Sequence, residues 1–302
     1  MYTSSQLVMQ KGRMILDIKS LEVFKAVATE QSMTKAAKKL NYVQSNVTAR
    51  IQRLEQELGV PLLYRYHKKI SLTPAGRELL PYANKLLYNF EEAIEAVKLS
   101  STPRGTLHIG AIESTASTRL PKIFAEYHKN YPQVELSMYM APTVDQVSAI
   151  LKYKVDGALV DGPIHHPDII EYPVLEESLV LITSYSSEQF QVESILHEPL
   201  LSSFAHCIYL GRWQQWLESN GFAPMKVMEY GTLEGVLKCV ENGLGVTVLP
   251  KSMVESRAHG RFTYHPLPEP HRIVPTVFIR RRDSYMTSAL SRFMELIGIT
   301  NL

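Results

Sequence analysis

The feature that most constrains this chain is a run near its N-terminus that reads as two short helices joined by a tight turn. Ser32 precedes Met33-Thr34-Lys35-Ala36-Ala37-Lys38-Lys39-Leu40, where Ala36, Ala37 and Leu40 form one small apolar face on which another helix can cross closely. Asn41-Tyr42 interrupts the pattern. A further helix is predicted from about Gln44 to Leu58, because Val47, Ile51, Leu54 and Leu58 recur on one helical face. Gly59 follows, where a helix C-cap needs positive φ. Upstream, Leu21, Phe24, Val27 and Ala28 give a third stripe, between Ile18 and Ala28. Gln44, Thr48, Arg50 and Arg53 fall away from the apolar face of the Gln44 helix. This is a helix-turn-helix pattern, whose second helix enters the DNA major groove N-terminus first. Gln pairs with adenine, Arg with guanine, and a Thr methyl meets a thymine methyl. Each residue alone is commonplace; the turn and the basic surroundings make the combination informative.

Those surroundings are strongly biased. Between Thr34 and Arg77 stand nine Lys/Arg and only two acids, a local +7 in a chain whose formal net charge is +2. One basic module on a mildly acidic body is the footprint of a phosphate-binding head. Beyond Gly59, Val60-Pro61-Leu62-Leu63-Tyr64 leads to Arg65-Tyr66-His67-Lys68-Lys69 and then Ile70-Ser71-Leu72. Alternation at Ile70 and Leu72 predicts a strand, and the basic loop before it predicts a wing lying along phosphates or a minor groove.

Thr73-Pro74 opens another helix, a capping Thr with Pro at the first helical position. It is predicted to run to about Ser100 with Leu79, Leu80, Ala83, Leu86, Leu87, Phe90, Ile94 and Val97 on a broad apolar surface. A helix so apolar needs partners on more than one side, which favours pairing with a second copy over packing on its own chain alone. Pro81 cannot donate to the carbonyl of Arg77, and a local kink is expected there.

Beyond the Ser101-Thr102-Pro103-Arg104-Gly105 linker, strands and helices alternate. Strands are predicted at 107–112, 134–140, 155–160, 179–183, 199–202, 226–229 and 246–249, and helices at 115–130, 144–152, 212–219 and 233–242. Repeated βα units predict open, mostly parallel sheets. Apolar runs long enough to span a membrane are missing, and Met1 to Arg13 lacks the apolar core of a signal peptide, so the expected location is cytoplasmic. Lys11-Gly12-Arg13 can be encoded by a purine-rich stretch resembling a ribosome-binding site, so Met14 is read as the start and residues 1–13 as dispensable; a genuine short polar arm is the alternative.

The ordered set Leu21-Glu22-Val23-Phe24, Ser32-Met33-Thr34-Lys35-Ala36-Ala37, Gln44-Ser45-Asn46-Val47-Thr48-Ala49-Arg50-Ile51, Leu54-Glu55, Gly59-Val60-Pro61-Leu62-Leu63 and Leu72-Thr73-Pro74-Ala75-Gly76 resembles the LysR-type transcriptional regulators, from about Leu16 to Leu302. Glu241-Asn242-Gly243-Leu244-Gly245-Val246-Thr247-Val248-Leu249-Pro250 carries the same resemblance further along. It implies an α+β multidomain chain: an extension at 1–15, a winged helix-turn-helix at 16–73, a linker helix for dimerisation at 74–104, and an effector-binding domain at 105–302. The last is expected to hold two α/β subdomains built like a periplasmic binding protein, I at 105–162 and 267–302 and II at 163–266, crossed near Asp161-Gly162-Pro163 and near His265 to Pro268. Implied partners are promoter or operator DNA, a small-molecule effector, a second copy in a homodimer or homotetramer, and RNA polymerase. Thr34, Lys35, Gln44, Ser45, Thr48, Arg50, Arg53, Arg65, Lys68 and Lys69 are the expected DNA contacts. Two departures stand out: Val43 replaces the usual capping Ser or Thr, and Ala49 replaces what is sometimes a long basic residue.

Ligands in open α/β sheets sit beyond the carboxyl ends of strands, at helix N-termini. Ser114, Thr115, Thr143, Ser203 and Thr232 fall at such junctions and are the expected effector contacts, for a small polar or anionic metabolite. Each is also a plain helix-cap candidate. Glu113 beside them either repels a carboxylate or selects a cationic or zwitterionic ligand. An enzyme reading lacks its motifs: no G-x-S-x-G, H-E-x-x-H or Walker loop occurs, and no metal or cofactor is expected. His165-His166, between two prolines on a hinge loop, reads as solvated, and Cys207 and Cys239 as structural thiols rather than a redox pair. A solute receptor without DNA activity is disfavoured by the basic head.

Overall fold

The computed structural model describes residues 17–66, 69–97, 102–184, 190–204, 207–255 and 262–300. The 1–15 extension, Met14, His67 and Lys68 lie outside the described residues. The chain divides into two compact units, Met1–Lys98 and Leu99–Leu302.

In the first unit α1 (Ile18–Glu30), α2 (Met33–Lys39) and α3 (Gln44–Leu58) enclose a core that includes Leu21, Phe24, Val27, Ala36, Val47 and Ile51. Asp17 caps α1 by accepting from the Ser20 amide at 2.7 Å, and Ser32 caps α2 by accepting from Lys35. Val43 makes no side-chain cap, so α3 begins on Gln44 with its first amides unclaimed by that side chain. Gly59, at φ +69°, closes α3 in the left-handed conformation that costs glycine little. β1 (Leu63–Tyr66) and β2 (Lys69–Leu72) pair antiparallel as the expected wing. Thr73 then caps α4 (Pro74–Val97) by accepting from the Gly76 amide at 3.0 Å, while its hydroxyl donates to the Pro61 carbonyl at 2.7 Å. Leu79, Leu80, Ala83 and Leu87 of α4 join the head core. Tyr82, Leu86, Phe90 and Ile94, spaced every fourth residue, stay exposed on another face.

The second unit runs β3 (Gly105–Ala111), α5 (Glu113–Thr118), α6 (Leu120–Asn130), β4 (Val134–Met140), α7 (Thr143–Leu151), β5 (Gly157–Asp161), β6 (Ile169–Ser184), β7 (Leu200–Ser202), α8 (Ile208–Ser219), β8 (Val227–Glu229), α9 (Leu233–Glu241), β9 (Thr247–Pro250), α10 (Lys251–Glu255), β10 (Phe262–Pro266), β11 (Ile273–Arg281) and α11 (Ser288–Leu296). The main sheet has the order β10-β6-β11-β5-β3-β4, with β9 also paired to β6, and β7 and β8 pair separately.

Three expectations are corrected. The sheets are mixed rather than mostly parallel: β3 pairs parallel with β4 and β5, but β11 runs antiparallel to both β5 and β6, and β6 antiparallel to β9 and β10. The single helix expected at 115–130 is two, broken at Arg119. Pro121 has no amide to offer the Ser117 carbonyl and its ring would clash there, so the chain restarts as α6 with Pro121 in its first turn. The first crossing is not at Gly162-Pro163. Residues 169–178 of β6 pair with β11, and 179–184 with β9 and β10, so the chain crosses within one uninterrupted strand between Ser178 and Leu179. Turn residues mark where a strand ends, and a strand that serves both halves carries no such mark. The Gly162 amide still donates to the Pro275 carbonyl of β11 at 2.8 Å, which keeps the 162–168 loop with the first half. The chain returns to the first half between Pro266, the end of β10, and Ile273, the start of β11.

Gly76 shows how tightly α4 is seated on the head. A β-carbon there would lie 2.1 Å from the backbone oxygen of Leu62. Gly→Ala inside a helix ordinarily stabilises by about 0.5–1 kcal/mol. Here Gly76→Ala is expected to destabilise the head by about 1–3 kcal/mol, because backbone cannot yield as a side chain can. Hydrogen exchange at the α1–α3 amides measures it, and unchanged or slower exchange would refute this account of the packing.

Candidate functional site

Two sets of residues qualify, one in each unit. In the head, the start of α3 is presented to solvent: Val43, Gln44, Ser45 and Asn46 are all exposed. Thr34 of α2 donates its hydroxyl to Gln44 Oε1 at 2.9 Å, which locks the start of α2 to the start of α3 and orients the Gln44 amide. The Thr48 hydroxyl donates back to the Gln44 carbonyl at 3.0 Å. Lys35 is exposed, one residue from the Thr34 contact. Gln44, Ser45, Thr34 and Lys35 therefore converge, as the helix-turn-helix pattern implies.

The arginines are more engaged than their sequence positions suggest. Arg50 Nη1 lies 3.6 Å from Asp17 Oδ1, and its Nε is buried without a partner among the described residues. Arg53 pairs with Glu57 at 2.9 Å along α3. Arg65, on the wing strand β1, pairs with Glu55 at 3.0 Å. The other oxygen of Glu55 accepts from the amides of Leu62 and Leu63 at 2.9 and 3.2 Å, so this carboxylate fastens the wing to α3. Glu55 and Asp17 are supports that sequence reasoning missed; acids inside a basic module were the available signal. Partly exposed ion pairs of this kind contribute about 0–1 kcal/mol, so none of the three guanidinium groups is tightly bound to its acid. Lys69 lies on β2, in register with Tyr66.

In the second unit a cavity of about 320 Å³ opens at the carboxyl ends of β3, β4 and β5. Ser114, Thr143 and Ser203 line it, as does Glu113. The remaining two expected contacts stand elsewhere. Thr115 is buried within α5 and is not on the wall, and Thr232 caps α9 by accepting from the Gly235 amide at 3.2 Å. Most of the wall is apolar, including Ile112, Met140, Phe204, Ile208 and Leu249.

The polar centre of the cavity joins Ser114 to two residues that the sequence does not mark as contacts, Tyr209 and Asp161. Tyr209, at the start of α8, donates its hydroxyl to Asp161 Oδ1 at 2.9 Å. The Ser114 Oγ lies 3.0 Å from the same tyrosine oxygen. Since the tyrosine proton is committed to Asp161, the Ser114 hydroxyl is the donor in that contact. Asp161 ends the apolar strand β5, a position that in the sequence reads only as a crossing point. Burial pushes its carboxyl up to about 7, against the lowering influence of the Tyr209 hydroxyl and the Arg212 charge, with Glu177 pushing the same way as burial. Burial likewise raises the Cys207 thiol, which also lines the cavity, and that argues against a reactive thiolate. Nearby, Arg119 holds Glu177 at 2.9 Å, and Ser252 donates to the other Glu177 oxygen at 2.9 Å. Among the described residues no cluster of three His, Cys, Asp or Glu could hold a metal ion, and no helix is long and apolar enough to cross a membrane.

Comparison with known proteins agrees with both units. Residues 18–77 match the family described as "Bacterial regulatory helix-turn-helix protein, lysR family", and residues 100–299 match the "LysR substrate binding domain". The HTH-type transcriptional regulator GltR of Bacillus subtilis is 41% identical over 281 residues, which is 92% of this chain and 95% of that relative. The HTH-type transcriptional regulator CzcR of Bacillus cereus is 42% identical over 284 residues, 93% of this chain and 97% of that one. The fold is shared with full-length CbnR, solved in complex with its target DNA, at a TM-score of 0.66 and 21% identity over 93% of this chain and 99% of that one. With both of its units matched in order, and with relatives of over 40% identity across nine-tenths of its length, the chain belongs to the LysR family of DNA-binding transcriptional regulators.

Proposed function

We propose that this regulator reads an inverted-repeat operator as a dimer, with α3 in the major groove, and that a small molecule held in the cavity biases how the two heads engage DNA. The observation that carries the DNA reading is the exposed, side-chain-uncapped start of α3, with Gln44 held in place by Thr34. Unclaimed helix amides favour a phosphate. Gln44, Ser45, Thr48 and Arg50 are assigned to base edges, Arg50 exchanging Asp17 for DNA. Thr34, Lys35, Arg53, Arg65, Lys68 and Lys69 are assigned to phosphates or the minor groove. Gln44→Ala is expected to cost about 1–3 kcal/mol on the operator and relax preference at one base pair. Lys35→Ala should weaken binding to all DNA alike and lower the salt slope by about one. Fluorescence anisotropy on operator and scrambled duplexes separates the two; operator preference untouched by Gln44→Ala would remove α3 from the major groove.

The exposed stripe Tyr82, Leu86, Phe90 and Ile94 supports dimerisation through α4, because an apolar face of this length is best covered by its counterpart on a second copy. Leu86→Asp combined with Phe90→Asp should shift the protein toward monomer in sedimentation velocity and reduce affinity for the two-half-site operator at least tenfold, while leaving the α1–α3 core, which these side chains do not enter, folded.

The effector reading rests on the cavity at the strand carboxyl ends and on Ser114, Thr143 and Ser203 in its wall. A ligand shifts an equilibrium only through differential affinity for the two states. Operator footprints taken with and without a thermally stabilising small molecule should differ for the natural protein and coincide for Ser114→Ala with Thr143→Val. A response that survives in the double variant would place the effector elsewhere.

A further inference from the structure

We propose that the cavity is built for a small ligand carrying a cationic ammonium group on an apolar body, and not for an anionic metabolite. This rests on the reading of the cavity as the effector site and names its chemistry. Its grounds are the hydrogen-bond inventory of the wall. Asp161 is only 6% exposed, lines the cavity, and uses Oδ1 to accept from Tyr209; its second oxygen has no partner among the described residues. With Asp161 ionised, Tyr209 spends its proton on Asp161 and Ser114 spends its own on Tyr209, so in that state the chain Ser114 to Tyr209 to Asp161 leaves only acceptor capacity facing the ligand. Glu113 adds a second carboxylate to the wall. No Lys or Arg stands among the described lining residues.

Helix N-termini, which would ordinarily draw an anion, are already answered here. α5 and α7 both begin at the cavity, and each carries an acid in its first turn, Glu113 and Asp145. α9, whose Leu233 reaches the wall, carries Glu234 in its first turn. A carboxylate near a helix N-terminus offsets the partial positive charge of that end. An incoming carboxylate would thus meet two carboxyl groups and the committed hydroxyls of Ser114 and Tyr209, with only Thr143 and Ser203 on the wall as side-chain donors. An ammonium offers three donors and a charge to a site rich in acceptors, and its apolar body meets Met140, Phe204, Ile208 and Leu249.

Ionisation supports the same assignment. The groups that act on Asp161 are the Tyr209 hydroxyl, the Arg212 guanidinium on α8 and the Glu177 carboxyl on β6, with Glu113 and the Cys207 thiol also on the cavity wall. With the Asp161 carboxyl at about 7, a cation bound beside it favours the ionised form, releases a proton, and binds more tightly as pH rises through that value.

The test uses the full chain and three probes of similar shape: 2-phenylethylamine, 2-phenylethanol and 3-phenylpropanoate, followed by calorimetry and thermal unfolding. The amine is expected to bind, and the carboxylate to bind at least tenfold more weakly or not at all. Amine affinity should fall about tenfold between pH 8 and pH 6, the loss of ionised Asp161. Asp161→Asn keeps an acceptor for Tyr209 and should weaken the amine at least tenfold while abolishing the pH dependence. Glu113→Gln, at a half-exposed position, should weaken it less and serves if Asp161→Asn unfolds. Equal or tighter binding of the carboxylate, or no binding of the amine, overturns the proposal. Thr143→Trp, which puts a bulky side chain on the cavity wall, separates the two readings. If the carboxylate binds and Thr143→Trp abolishes it, the effector site stands and its charge preference is reversed; if binding of any probe survives Thr143→Trp, the cavity itself is not the site.

Discussion

The second unit depends on one strand that belongs to two sets of partners at once. β6 runs for 16 residues, and its first part is paired to β11 while its last part is paired to β9 and β10. Backbone amides and carbonyls buried without partners are costly, so a strand continuing from one half into the other ties the halves by the same ladder that builds each of them. β11 returns beside it, antiparallel, and β5, β3 and β4 extend the first half outward. The carboxyl ends of β3, β4 and β5 all reach the cavity. Its position is therefore a consequence of the strand order.

Side chains then join the two halves across that space. Tyr209 from α8 bonds to Asp161 at the end of β5 and to Ser114 on α5, while Ser252 of α10 and Arg119, between α5 and α6, meet on Glu177 of β6. A buried network of this sort is stabilising only where its members are satisfied. Asp161 is the member with capacity to spare, and a carboxylate in that state is disposed to lose its charge or to gain a partner. The group that is costliest to bury in the wall is thus the one that gives the cavity its chemical preference.

The head is organised by the opposite logic, with acids placed to support bases. Asp17 caps α1 and faces Arg50; Glu55 holds the turn into the wing and faces Arg65. Each carboxylate does a backbone task that needs a fixed position, and each guanidinium is thereby held near the surface in one orientation. Because the ion pairs are partly exposed, the bases remain available to a stronger anion.

Sequence by itself determined the head almost completely. Apolar spacing placed α1, α2 and α3, Gly59 closed α3, and Thr73-Pro74 opened α4, since helix periodicity and capping are local properties written within a few residues. It also placed the strand-to-helix junctions where Ser114 and Thr143 stand. It did not place the crossing inside β6, the antiparallel return of β11, or the break at Arg119, which was legible only in the Pro121 that the long helical pattern obscured. Nor could it reveal that Tyr209 meets Asp161 and Ser114, residues separated by 48 and 95 positions. Such contacts are decided by which strands lie side by side, and strand order is a property of the whole sheet. Only the tertiary structure therefore decided that Thr115 and Thr232 stand off the cavity wall while a buried carboxylate stands on it.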